Sequence, residues 1–250
     1  MRLTILGSGT NIHPTRAAAG YLLRTDQQLL LDFGPRTLMN LLKADVDRHS
    51  ITHILFSHYH ADHFADFIPF FFDAVFYSNH IGARPDLTLI GPRGTKELFR
   101  TLIQTIPGFT KARFAVRYKE VSDRPFMIGR TKIYSRTVVH SPRLHCVGYR
   151  IEYGNKALAY SGDAQYCDSL IRLCDDANLA LLDCSFPANK PGLGHLHAGE
   201  CGLVAKEAGV TRLVLSHFYP IADRYDVRKQ AGEAFGGKIV AGKDLMTIKL

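Results

Sequence analysis

Short apolar runs alternate with glycine, proline and aspartate turns along the chain, a pattern typical of strands interspersed with helices. In the first half, strands are predicted at 3–6, 21–23, 28–31, 51–56, 87–90 and 113–121, with helices at 35–43, after segment 57–63, and at 95–106. In the second half, strands are predicted at 126–128, 131–139, 146–153, 156–160, 177–182 and 211–215, then two short strands, with helices at 166–174, 197–208 and 224–234. No long linker interrupts this order, so the sequence predicts one domain over 1–250, built from pseudo-repeat halves at about 1–125 and 126–250.

Two local alignments support the repeat. Residues 210–217 align on 51–58, with Thr, Ser and His coinciding. A predicted hairpin that leads to Asp32 in the first half also matches one that leads to Asp163 in the second. Because active groups of α/β folds gather at the carboxyl ends of strands, Asp163 and His217 are expected beside segment 57–63.

Composition narrows the class of protein. The chain has 250 residues, of which 46% are hydrophobic and 22% charged, an ordinary globular balance. It has no apolar run long enough to span a bilayer, so no membrane contact is predicted. Five cysteines without a C-x-x-C motif predict reduced thiols in a cytoplasmic protein.

Positive charge is concentrated in one segment. Residues 84–150 hold fourteen Lys or Arg against four Asp or Glu, whereas the whole chain carries +8. This excess favours an anionic small-molecule or nucleotide substrate, and a solvated basic face is the alternative. The charges are dispersed and not interleaved with aromatic residues, so nucleic-acid binding is left open.

Segment 57–63, Ser-His-Tyr-His-Ala-Asp-His, carries the clearest chemistry. It places His58, His60, Asp62 and His63 between a predicted buried strand and a helix. Imidazole and carboxylate are ligands that Zn²⁺ prefers. A single histidine usually has a structural role, but four such groups within six positions indicate a metal site. Adjacent Asp62 and His63 diverge, so one tetrahedral ion does not accommodate all four. Two neighbouring metals are therefore predicted.

Three further residues end predicted strands and can complete the two sites: His140, Asp163 and His217. A carboxylate can bridge two cations, which assigns Asp163 to both. One predicted site consists of His58, His60, His140 and Asp163, and the other of Asp62, His63, Asp163 and His217. Such a pair lowers the pKa of a shared water and yields a bridging hydroxide. Two Zn²⁺ are expected, with Mn²⁺ or Fe²⁺ left open, and His145 is the alternative to His140.

Through SHYHADH, SGD and LSHFYP, the sequence resembles the metallo-β-lactamase superfamily. LGSGT, LLLDFGPRTL, VGYRIEY and GHLHAGECGLVAKEAGV extend the resemblance over nearly the whole chain, to the ribonuclease Z-like branch of metal-dependent hydrolases and phosphodiesterases. The resemblance implies an α/β fold of four layers, an αββα sandwich of two mixed sheets with outer helices. It also implies that His195 contacts the scissile group or protonates the leaving oxygen, with His197 as the competing residue. In the predicted mechanism, Asp62 orients the hydroxide as well as holding a metal.

The sequence departs from the branch in three places. Only 32 positions separate Asp163 from His195, which leaves no room for the arm that grips transfer RNA in ribonuclease Z proper. Residues 141–147 separate His140 from the glycine that usually follows the family's histidine more closely. Finally, Gly-His-Leu-His at 194–197 stands where the family has G-H-L-T. The first departure weakens the expectation of transfer-RNA processing.

The sequence thus predicts a dinuclear zinc-dependent hydrolase, a phosphodiesterase that uses a metal-bridging hydroxide. The alternatives are an acyl-type hydrolase (lactamase, thioesterase or lactonase), an armless transfer-RNA 3′ endonuclease, and a metal-dependent regulatory protein without turnover. Asp32 is expected to orient a ligand histidine. The phenylalanine-rich stretch 64–76 supplies either core or a homodimer interface, and Phe33, Phe64, Phe67 and Tyr219 are expected to line the pocket or the core.

Overall fold

The computed structural model describes residues 1–250 and contains fourteen strands and seven α-helices. The strands are β1 Arg2–Gly7, β2 Gly20–Arg24, β3 Gln28–Phe33, β4 His53–Leu55, β5 Leu87–Gly91, β6 Val116–Glu120, β7 Phe126–Ile128, β8 Thr131–Thr137, β9 Val147–Tyr153, β10 Lys156–Tyr160, β11 Leu179–Asp183, β12 Arg212–Ser216, β13 Lys238–Ala241 and β14 Thr247–Lys249. The helices are α1 Thr37–Lys43, α2 Ala61–Phe64, α3 Phe67–His80, α4 Thr95–Thr105, α5 Asp168–Cys174, α6 Ala198–Glu207 and α7 Val227–Gly232. Short 3₁₀ turns cover Arg48–Ser50, Phe109–Lys111 and Ala222–Arg224.

The strands form two seven-stranded mixed sheets, ordered β14-β1-β2-β3-β4-β5-β6 and β13-β12-β11-β10-β9-β8-β7. In the first sheet β1 to β3 pair antiparallel and β3 to β6 pair parallel. The second sheet has the same plan, antiparallel from β7 to β10 and parallel from β10 to β13. With helices outside both sheets, this is the predicted αββα sandwich, and the predicted fold class is confirmed.

The alternation of side chains along single strands explains the four layers. On β3, Leu29 and Leu31 join the apolar cluster between the sheets, whereas Leu30 joins the cluster under α1, α3 and α4. On β11, which belongs to the second sheet, Leu181 faces the first sheet, whereas Leu182 packs under α5, α6 and α7. Both faces of these strands are buried, so their sequences read as continuous apolar runs rather than as alternating ones.

Of the two local alignments that predict the repeat, the structure agrees with that of the hairpins but not with that of the strands. The hairpins β2–β3 and β9–β10 occupy the same place in their sheets. However, the alignment of 51–58 on 210–217 is wrong by one strand, because β4 adjoins its hairpin directly whereas β11 lies between β12 and its hairpin. The strand in the place of β4 is therefore β11, which ends at Asp183.

Predicted and observed elements otherwise differ mainly at their ends. The helix expected at 224–234 is shorter, since a 3₁₀ turn ends at Arg224 and α7 begins at Val227 after Asp226, whose side chain accepts from the backbone N–H of Lys229. All five cysteines are free thiols. None of the helices combines the length and apolar character needed to cross a bilayer.

Candidate metal centre

The candidate site lies at one edge of the sandwich, where loops that follow strands of both sheets meet. The loop after β4 and the short helix α2 supply the histidines and aspartate of segment 57–63. The loops after β8, β10 and β12 supply His140, Asp163 and His217. Val147 of the second sheet donates its backbone N–H to the carbonyl of Ser57 at 2.9 Å, which ties the two contributions together.

A first group of potential ligands comprises His58, His60, His140 and Asp163. His60 Nδ1 lies 3.0 Å from His58 Nε2 and 3.1 Å from His140 Nε2. Asp163 Oδ2 lies 3.7 Å from both Nε2 atoms. The structure thus brings together the four residues of the first predicted site, with His60 on the solvent side and the other three largely enclosed.

A second group gathers around the other oxygen of Asp163. His63 Nε2 and His217 Nε2 are 3.2 Å apart, and they lie 3.2 Å and 3.3 Å from Asp163 Oδ1. Asp62 Oδ2 is 3.5 Å from His217 Nε2. The four residues of the second predicted site are therefore also neighbours, and Asp163 faces both groups with different oxygens.

The outer nitrogen of each buried histidine is already engaged. His63 Nδ1 donates to Asp32 Oδ2 at 2.7 Å, and His140 Nδ1 donates to the carbonyl of Gly194 at 2.6 Å. The other two, His58 and His217, donate through Nδ1 to serine hydroxyls at 3.0 Å, because those hydroxyls give their own protons to aspartates. These contacts fix the tautomers and leave all four Nε2 atoms as lone pairs that face the centre.

This arrangement fits divalent cations. Asp163 Oδ1 is buried and has no aligned hydrogen bond, although two imidazole nitrogens lie within 3.3 Å of it. Lone pairs at such distances repel unless positive charge lies among them. Burial lowers the pKa of His63, but the Asp163 and Asp32 carboxylates outweigh it and raise that pKa to about 10, so the surroundings of this imidazole favour positive charge. The donor set of imidazole and carboxylate suits Zn²⁺.

Asp32 holds the first half of the site from behind, as the sequence predicts. Its carboxylate is fully buried and accepts from the Ser57 backbone N–H and hydroxyl, each at 2.7 Å, and from Tyr160. It also accepts from His63 Nδ1. Asp32 has φ 53°, and His217 on the other side has φ 61°, in the left-handed region that side chains rarely adopt. The surrounding hydrogen bonds hold both residues there.

His195 and Asp183 form a buried pair beside the second group. His195 Nδ1 donates to Asp183 Oδ2 at 2.8 Å and lies 3.8 Å from Asp163 Oδ2. Burial lowers the pKa of His195, yet the Asp183 carboxylate raises it overall. Asp183 Oδ1 also accepts from Ser185 Oγ at 2.6 Å, and that hydroxyl contacts His217 Nδ1.

Asp183 is the functional candidate that sequence reasoning missed. The run 177–182 is predicted as a strand that leads to this residue, but the alignment of β4 on β12 selects His217 as the equivalent strand-end residue instead. Matching the order of strands after each hairpin would have found it, because β11 occupies the place of β4.

The structure also distinguishes between the histidines, and between the aromatic residues, that the sequence left as alternatives for the site. His145 is exposed and belongs to neither ligand group, whereas His140 lies inside the first. His197 caps α6 through a reciprocal pair of hydrogen bonds with Glu200, so it serves the helix. Phe33 and Phe67 are fully buried in the core and do not line the site. Tyr219 is partly exposed, and its ring centroid lies 5.7 Å from that of His195.

Comparison with known proteins agrees with this geometry. The sequence profile of the beta-lactamase superfamily domain matches residues 28–218. A probable metallo-hydrolase of Bacillus subtilis, YhfI, is 31% identical over 97% of each chain. A protein of Methanosarcina mazei named ribonuclease Z is 27% identical over 100% of this chain and 98% of its own.

Solved structures agree as well. The crystal structure of YhfI from Bacillus subtilis superposes with a TM-score of 0.86 and 28% identity, covering 99% of this chain and 98% of that one. The short form of human tRNase Z superposes with a TM-score of 0.80 at 21% identity, over 100% and 99% of the two chains, which extends the likeness of fold. The family implies divalent metal ions and hydrolytic chemistry. The chain therefore belongs to the metallo-β-lactamase superfamily.

Proposed function

We propose that the protein is a dinuclear zinc-dependent phosphodiesterase. The observation that carries the proposal is the position of Asp163, whose two oxygens face two separate groups of histidine lone pairs. A carboxylate placed between two such groups suits a pair of cations that share it. His58, His60 and His140 would complete one ion's ligands, and Asp62, His63 and His217 the other's.

When bound, the two cations would supply Lewis acidity to the phosphoryl oxygens and to the attacking water. Asp62 accepts a hydrogen bond from that water and orients it, because its carboxylate stands at the mouth beside His217 Nε2. Burial raises the pKa of the Asp62 carboxyl, but His217 and His63 lower it by more, so Asp62 is an acceptor.

His195 serves the leaving group in this proposal. Asp183 engages its Nδ1, so Nε2 is the nitrogen available to a substrate oxygen. The imidazole ring lies beside both ligand groups, with centroids 4.8 Å from His140 and 5.5 Å from His217. A proton held there can pass to the departing alkoxide, which is general acid catalysis.

The choice of a phosphodiester over an acyl substrate rests on two supports. The basic segment 84–150 favours an anionic substrate. A relative over the full length is named ribonuclease Z, an enzyme class that cleaves phosphodiesters. The segment between Asp163 and His195 holds only α5, β11 and a loop, so an armless transfer-RNA 3′ endonuclease is the less favoured version of the same chemistry.

A substrate panel tests the reaction class. Zinc-loaded protein is assayed side by side with bis(p-nitrophenyl) phosphate, nitrocefin, a thioester, a lactone and a 3′-extended transfer-RNA precursor. We expect turnover of the phosphodiester. Turnover of acyl substrates alone would overturn the phosphodiesterase proposal, and no turnover of any substrate at full zinc occupancy would favour a regulatory protein.

Two further expectations stay predictions. We propose that residues 1–250 unfold as one unit, to be checked by a single transition in both calorimetry and circular dichroism. Helix α3 exposes Ile68, Phe72 and Phe76 at four-residue spacing, the stretch for which the sequence predicts core or a homodimer interface. Light scattering of the purified protein decides between monomer and dimer.

A further inference from the structure

The loop between β11 and α6 crosses the mouth of the candidate site and is held at several points. The backbone N–H of Ala188 donates to the side-chain oxygen of Gln230 on α7 at 2.9 Å. A β-carbon at Gly192 would lie within 2.7 Å of the Phe186 ring, so the backbone there packs directly on the aromatic face or edge. Gly194 accepts the hydrogen bond from His140 Nδ1. The tip of the loop is thus fixed against the site and does not float free.

Leu193 stands between these two glycine anchors with its side chain in solvent. It is 95% exposed, the most exposed of the large apolar residues. A leucine so placed contributes nothing to the core. Gly194 has φ 83° and its β-carbon would lie 3.3 Å from His140 Nδ1, so the backbone passes next to a candidate metal ligand immediately after Leu193.

A partly exposed aromatic pair borders the second ligand group, and Leu193 directly follows the glycine that packs on one of its rings. Phe186, on which Gly192 packs, stacks on Tyr219 with ring centroids 4.9 Å apart. Both rings are partly exposed, and both approach His195, at 6.0 Å and 5.7 Å. Beyond His140, Val139 is also 52% exposed. The charged centre of the site is therefore bordered on one side by partly exposed apolar groups.

We propose that Leu193 is a specificity-determining residue that covers an apolar or aromatic group held in ester linkage to the phosphoryl group of the substrate. The inference rests on the proposed phosphodiesterase function and goes further, because it names the chemistry beside the scissile bond. The phosphoryl group would match the cations that the two ligand groups would hold, and the organic group matches the apolar border formed with Phe186 and Tyr219. Burial of the leucine then occurs only when substrate is bound.

The test measures binding without turnover. Zinc-loaded wild type and Leu193→Ala are titrated calorimetrically with phenyl phosphate and with inorganic phosphate, which share the anionic head but differ in the apolar group. We expect the Kd of phenyl phosphate to rise about ten-fold in Leu193→Ala and that of inorganic phosphate to stay unchanged. Ile81→Ala is the matched control, since Ile81 is 67% exposed beyond the far end of α3, and it should alter neither Kd.

The outcomes separate the two proposals. If wild type binds both anions and Leu193→Ala binds phenyl phosphate equally well, the contact with Leu193 is overturned while the phosphodiesterase proposal stands. If zinc-loaded wild type binds neither anion, the phosphate-ester function fails and this inference fails with it. With bis(p-nitrophenyl) phosphate, the contact predicts a higher KM in Leu193→Ala at nearly unchanged kcat, which a loss of structure would not produce.

Discussion

The two sheets contribute to the candidate site in contrasting ways. The first sheet places its ligands in one continuous segment, 57–63, after a single strand, with Asp32 behind it. The second sheet draws His140, Asp163 and His217 from three separate loops and adds the pair Asp183–His195 from two more positions. The ligands of the first half can be recognised in the sequence as one motif, whereas those of the second half come together only when the strands are arranged in the sheet. Asp163 belongs to the dispersed half yet faces both ligand groups, so a change at this residue affects both groups at once.

Replacing Asp163 with asparagine should have the largest effect. The amide keeps the shape but loses the charge that both ligand groups face, so neither ion is held at full affinity. We expect kcat/KM for bis(p-nitrophenyl) phosphate to fall at least about 10⁴-fold, beyond what loss of a single proton donor costs. Elemental analysis should show both zinc equivalents reduced. Retention of two zinc ions with near-normal activity would refute a shared carboxylate.

Replacing Asp183 with asparagine should reduce turnover rather than metal content. Asparagine can still accept from Ser185 but no longer stabilises a protonated His195. We expect kcat to fall about 10²-fold or more with zinc retained, the range of general acid catalysis. His195→Gln should give a similar loss, and the double variant should lose little more, because the two residues act as one unit. Additive losses would argue that Asp183 and His195 act independently.

The buried carboxylate that supports a histidine in the first half is Asp32, and Asp32→Asn should show the opposite balance. Asp32 orients His63, a proposed ligand, so the expected effect is a loss of about 10- to 100-fold in zinc affinity. With zinc in excess, most of the activity should return. A variant that binds zinc normally but turns over slowly would mean that Asp32 serves the reaction directly, and that the two carboxylates do not divide the work as proposed.

The contact between the halves can be probed with Gly162→Ala. Gly162 has φ 59°, and its β-carbon would lie 2.6 Å from Ser57 Cβ in the other half. Gly154 has a similar φ of 61° with open space around it, so Gly154→Ala carries the backbone strain without the clash. We expect a loss of roughly 1–2 kcal/mol in unfolding free energy for Gly154→Ala, the cost of left-handed backbone. Gly162→Ala should lose more and should also bind zinc more weakly. Equal effects in both variants would show that the contact with Ser57 is not tight.

The contrast between the halves also sets what sequence can predict. Periodicity located nearly every strand, because both faces of the central strands are buried and the apolar runs are long. Segment 57–63 could be recognised as a metal-binding segment from sequence alone, since its four candidate ligands lie within six consecutive positions. Asp183 did not, because its partners His195 and His217 are 12 and 34 positions away and only strand order brings them together. Leu193 carries no sequence signal at all, since its significance lies in exposure next to His140.

The number and position of bound metal ions show most directly whether two ions share the Asp163 carboxylate. Crystals of the zinc-loaded protein are measured at the zinc absorption edge, and anomalous difference maps locate each ion. We expect two peaks per chain, one within the group of His58, His60 and His140 and the other within that of Asp62, His63 and His217, with Asp163 coordinating both. A single peak, or two peaks that do not share Asp163, would contradict the shared carboxylate.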